Sequence, residues 1–91
     1  MDLEFTQNQR GQYEARAEVN ADFNIHLEIG KEKPSYIHVY VSTVSDGQPA
    51  PVFVGNVSEV FDRDFDAIVY PKYVTVITKE PVLRGVITEA T

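Results

Sequence analysis

Cysteine and tryptophan are both missing from this 91-residue chain. Without Cys there is neither a disulfide framework nor a thiolate metal site, which suits a protein made or assembled in the cytoplasm. Without Trp, the strongest aromatic platform for a sugar ring is gone. Basic residues are scarce: 8 Lys and Arg stand against 14 Asp and Glu, a formal net charge of −6. They are scattered singly at Arg10, Arg16, Lys31, Lys33, Arg63, Lys72, Lys79 and Arg84. No nucleic-acid partner is expected, because counterion release needs clustered cations. No apolar run approaches the ~18 residues of a membrane helix, so membrane insertion is not expected either. The opening Met1-Asp2-Leu3-Glu4-Phe5 has neither the basic nor the apolar region of a signal peptide. Helical spacing is also lacking, with at most one turn within Arg63–Ile68.

What the chain does have is a two-residue beat. Tyr13, Ala15, Ala17 and Val19 alternate with Glu14, Arg16 and Glu18. Phe23, Ile25, Leu27 and Ile29 alternate with Asn24, His26 and Glu28, and Ile37, Val39 and Val41 with Tyr36, His38 and Tyr40. Side chains change face at every residue of a strand, so this pattern describes antiparallel sheet with one face buried. An apolar fraction of 43% with five Phe and five Tyr is that of a globular chain. Residues 1–91 are expected to form one domain, with a stability that is modest or shared with partner subunits.

About seven strands follow, separated by turns at the spacing of a β-sandwich, immunoglobulin-like or jelly-roll-like. They are Asp2–Thr6, Gln12–Val19, Phe23–Ile29, Ser35–Thr43, a broken strand through Val52–Val54 and Val57–Phe61, Tyr73–Thr78 and Leu83–Glu89. Gly11 is placed in a turn that asks for positive φ. Gly30 to Pro34 and Ser45 to Pro51 read as loops, a bulge is expected near Gly55-Asn56, and Asp62–Pro71 reads as less regular. The expected core is Tyr13, Val19, Phe23, Ile25, Leu27, Ile37, Val39, Val41, Val74, Val76 and Ile87.

Two clusters carry ligand-type side chains. If the third and fourth strands form a hairpin centred on Glu32, Ile25 faces Val39 and Leu27 faces Ile37, all inward. The same register puts His26 opposite His38 on the outer face, beside Glu28. Two imidazoles and a carboxylate at cross-strand distance would suffice for a divalent metal; the alternative is a polar sheet face or an interface. Asp62, Asp64 and Asp66 recur every second residue. An EF-hand is excluded, since its sixth and twelfth positions would be Ala67 and Tyr73. A looser calcium site or a charged, solvated edge remains. Tyr70-Pro71-Lys72-Tyr73 enters a strand from a proline turn, as a structural tyrosine corner or an aromatic platform. No nucleophile elbow, phosphate loop, paired zinc motif or dinucleotide fingerprint occurs, so an enzyme is not expected, and no cofactor.

Asn24, His26, Tyr36, His38 and Tyr40 are polar-aromatic and carry no fixed charge, the composition of an interface core. In the hairpin register they would share one face and pack against another subunit or a larger protein assembly. Finally, Glu18–Glu28, Val60–Phe65 with Val69–Val76, and Gly85–Glu89 together resemble small all-β proteins encoded among head and tail genes in phage and prophage regions of gut bacteria. The resemblance implies a virion or assembly protein working as a homo-oligomer, located in the cytoplasm or the virion. It transfers no catalytic or binding residue. The competing expectation is a module that binds carbohydrate or a cell-surface ligand, with calcium at Asp62–Asp66.

Overall fold

Alternation decides which side of each strand is lost to solvent, and the computed structural model follows it closely. The structure describes residues 1–30, 33–43, 50–66 and 72–90. Among them there is no helix, hence none long and apolar enough to cross a membrane. Eight strands run β1 (Thr6–Gln7), β2 (Tyr13–Val19), β3 (Phe23–Glu28), β4 (Ser35–Ser42), β5 (Ala50–Val57), β6 (Val60–Phe65), β7 (Lys72–Thr78) and β8 (Arg84–Glu89). They form two antiparallel sheets, β1-β2-β7-β4-β5 and β6-β3-β8.

The pairing is nested about the middle of the chain. β4 pairs with β5, β3 with β6 and β2 with β7. Outermost, Asp2 bridges Val86 of β8, and Leu3 N–H donates to Gly85 O at 2.9 Å. One long hairpin is thus rolled into two sheets, which is jelly-roll connectivity; an immunoglobulin-like order does not describe it. The N-terminal segment differs from the expected strand Asp2–Thr6. It lies beside β8 at Asp2, then pairs with β2 only at Thr6–Gln7.

The two sheets enclose one core: Leu3, Ala15, Val19, Phe23, Ile25, Leu27, Ile29, Ile37, Val39, Phe61, Phe65, Val74, Val76 and Ile87 are buried. Nine of the eleven expected core residues are there; Tyr13 and Val41 are half-buried. Phe61 ends a segment expected to be strand, whereas Phe65 comes from the stretch 62–71 expected to be less regular. Asp62–Phe65 is regular strand instead, with Phe23 stacked on Phe65 at 5.3 Å. The broken strand is resolved into two. β5 runs through Gly55-Asn56 without interruption, and the irregularity falls earlier, where Tyr40 pairs with Pro51 and Val39 with Phe53, leaving Val52 extra. The break comes at Ser58-Glu59, where Glu59 takes φ +68° and the chain changes sheet. Glu59 O accepts from Ile29 N–H at 2.7 Å, tying this crossover to the end of β3. Of the expected loop at 45–51, Ala50-Pro51 belongs to β5, and the remainder lies outside the described residues.

Two buried hydroxyls fix the turn after β7. Thr78 Oγ1 donates to Glu80 O at 2.8 Å, while Ser35 Oγ accepts from Glu80 N–H at 3.1 Å. Both residues are fully buried. Side chains from two strands therefore satisfy both backbone groups of Glu80, which would be costly to bury unpaired. Strand parity with Ile37 and Val39, and with Val74 and Val76, turns both hydroxyls inward; that they meet at Glu80 is set by the fold.

Candidate functional site

The hairpin expected between the third and fourth strands does not form. β3 pairs with β6 and β8, whereas β4 pairs with β5 and β7 in the other sheet. Phe23, Ile25, Leu27, Ile37 and Val39 still point inward, but toward each other across the core rather than along one ladder. His26 and His38 consequently stand on the outer faces of different sheets. The metal set His26, His38 and Glu28 is therefore not brought together, and the expected interface divides: Asn24 and His26 on one outer face, Tyr36, His38 and Tyr40 on the other. A chain that changes sheet between β3 and β4 preserves every inward residue while separating every outward pair; the expected centre, Glu32, lies outside the described residues.

On the smaller sheet, β6 lies beside β3 with Asp62 directly across from His26 and Asp64 across from Asn24. Asn24 Nδ2 donates to Asp62 Oδ1 at 2.8 Å and to Asp64 Oδ1 at 2.9 Å, and His26 Nδ1 lies 2.8 Å from Asp62 Oδ2. Asn24 first, then His26, hold the Asp62 carboxyl below its ordinary 3.8. Both oxygens of Asp62 and one of Asp64 are thus engaged by Asn24 and His26. Among the described residues no three His, Asp or Glu side chains are grouped to hold a metal ion.

A lowered folded-state pKa means that the native protein binds the Asp62 proton less tightly than the unfolded chain does. Its contribution is complete above about 3.8 and disappears as pH falls through the lowered value. Asn24→Ala removes the leading cause. The gap in urea midpoint between the parent and Asn24→Ala is therefore expected to narrow between pH 6 and pH 2.5. A gap that widened in acid would contradict this network.

On the larger sheet the outward residues of β4 form a column. Tyr36 and His38 rings lie 4.8 Å apart and tilted, His38 and Tyr40 stack at 5.7 Å, and His38 Nδ1 is 2.8 Å from the Tyr40 hydroxyl. The register widens the column on both sides: Ile77 and Val54 flank His38, Thr75 flanks Tyr40 and Asn56 flanks Tyr36. Tyr36 and Val54 remain 40% and 48% exposed, large apolar surface that folding leaves in water. Charge flanks this column at Lys79, beside Tyr36, and one strand further out, where Glu14 and Arg16 of β2 pair with each other at 3.0 Å.

One end of this face is hollowed. An open depression of about 660 Å³ lies among Arg10, Gln12, Tyr36, His38, Asn56 and Lys79. Its rim is built by local chemistry. Asn8 Oδ1 accepts from Arg10 N–H and Gln12 N–H, both at 3.0 Å, and Gly11 turns at φ +78°, as its place in the sequence predicts. On the opposite rim Lys79 N–H donates to Tyr36 O at 3.0 Å, and Lys33 pairs with Glu80 at 3.2 Å. Sequence reasoning missed Ile77, Val54 and the depression, because all three depend on β7 and β5 flanking β4. Of the proline turn at 70–73, Tyr70 and Pro71 lie outside the described residues, and Tyr73 sits half-buried on the same outer face, beside Glu18 and Ser42. Comparison with protein families, curated proteins and solved structures returns no match for the chain.

Proposed function

We propose that this chain is a non-enzymatic assembly module that works as a homo-oligomer, of the kind encoded among phage and prophage structural genes, in the cytoplasm or the virion. One observation carries the reading: Tyr36, His38, Tyr40, Ile77 and Val54 form a continuous aromatic and apolar face without a fixed charge. Such composition suits the core of an interface, where aromatics are enriched and charges depleted. Symmetric association is the default for chains that self-assemble, and burying this face would add to the modest stability of a small domain.

Tyr40→Glu tests it. In the assembled state the carboxylate would be buried without a cation, which costs about 3–5 kcal/mol. At about 1.4 kcal/mol per tenfold, dissociation should be at least about a hundredfold easier. Light scattering on a size-exclusion column should show a multimer for the parent and a smaller species for the variant, with both folded by circular dichroism. A parent that stays monomeric at high micromolar concentration rejects self-assembly.

A second reading has its own observation. The depression beside Tyr36 offers amide, imidazole and cationic groups from Gln12, Asn56, His38, Arg10 and Lys79, which suits a carbohydrate or another polar cell-surface ligand. A monomer that binds a glycan array, and loses binding on Tyr36→Ala, would favour it over assembly.

A further inference from the structure

The sheet edges of this sandwich are not equally protected. β1 is only two residues long, and β8 has its flank occupied at Asp2 and Leu3. β6 carries Asp62, Arg63 and Asp64, and charged side chains discourage a second strand from docking. β5 has none of these devices along most of its length. Its only strand neighbour among the described residues is β4, and Ala50–Val57 contains no Asp, Glu, Lys or Arg. Pro51 and the extra residue Val52 blunt its beginning. From Phe53 to Val57 it is regular, pairing Val39 with Phe53 through Ser35 with Val57. Every second residue of such a strand turns its N–H and C=O away from the one neighbour it has.

We infer that Phe53–Val57 pairs antiparallel with the same segment of a second copy, joining two five-stranded sheets across a two-fold axis. The inference rests on the homo-oligomeric reading above and names the contact that starts the assembly. Charge selects the occupant. Two chains of net −6 repel, so a contact between copies needs a strip without acidic groups, and β5 is the edge longer than two residues that supplies one. A strand with no charge also carries nothing to select an acidic or basic peptide. Register follows from parity: Val54 and Asn56 face outward, and Phe53, Gly55 and Val57 inward. A two-fold axis perpendicular to the sheet keeps outer faces together, which requires residues of like parity to be opposed. Centring on Gly55 opposes Val54 to the partner's Asn56 and Phe53 to the partner's Val57, within the regular stretch. The two aromatic faces then become one continuous surface. Five residues a side make a small contact, so this first step is weak and concentration-dependent.

Hydrogen exchange of the whole chain at about 1 µM and about 1 mM, spanning the weak-contact regime, tests the inference beside light scattering at the same concentrations. The expected result is a dimer or multiple of it at high concentration, with amides in 50–57 that exchange fast when dilute slowed at least about tenfold by the new pairing. Val54→Lys, an exposed substitution that leaves the fold intact by circular dichroism, should abolish that slowing. A multimer whose 50–57 amides exchange equally fast at both concentrations overturns edge pairing while leaving the aromatic face as the contact. A monomer at both concentrations overturns edge pairing and self-assembly together.

Discussion

Leu27→Ala should lower folding stability by about 4 kcal/mol, in the upper part of the range of about 2–5 for such truncations. Leu27 is fully buried on the central strand of the smaller sheet, between Phe61 of β6 and Gly85 of β8. The cost of a truncation depends on how far the surroundings can collapse into the space. Here they cannot collapse far, because Gly85 has no side chain to move in and β3 is paired on both flanks. A domain of this size has roughly 5–14 kcal/mol in total at about 0.05–0.15 per residue. The melting temperature is therefore expected to fall by about 15 °C or more. Thermal and urea unfolding followed by circular dichroism would read this directly, and a loss below about 1 kcal/mol would mean that the sheets are not packed as described.

Gly85→Val is the second large effect, and it acts from the other side of the same contact. A Cβ at Gly85 would lie 2.9 Å from Phe5 Cε2, 3.0 Å from Leu27 Cδ2 and 3.4 Å from Leu3 Cβ. Phe5 and Leu3 belong to the N-terminal segment that closes β8, so the added bulk presses on the outermost pair of the nested hairpin. Overpacking of this kind costs about 1–3 kcal/mol, and the upper end is expected because two further γ-methyls have nowhere to go. The two substitutions should not be additive. Leu27→Ala removes one of the atoms that a side chain at residue 85 meets, so the cost of Gly85→Val should shrink in that background. A double-mutant cycle showing full additivity would mean that Leu27 and residue 85 do not touch.

What the chain order alone determined was the side of each strand. The alternation through Phe23–Glu28 and Ser35–Ser42 places Phe23, Ile25, Leu27, Ile37 and Val39 inward whatever the strands pair with, and all five are buried. The turn at Gly11 was equally local, since a single left-handed residue closes it. Which strands lie side by side was decided only by the tertiary fold. An inward residue meets the same apolar surroundings whether its strand belongs to one sheet or the facing one, so burial parity is silent on partnership. The short connection after Ile29 suggested a hairpin; the nested pairing of β3 with β6 and β4 with β5 made it a crossover instead. The outward residues bore the whole consequence. His26 went to Asp62, His38 to Tyr40, and Ile77 and Val54 joined a face that their own segments do not announce. Core positions are set by a strand's own period, whereas a surface site is set by its neighbours across the ladder, and neighbours are a property of the closed sandwich.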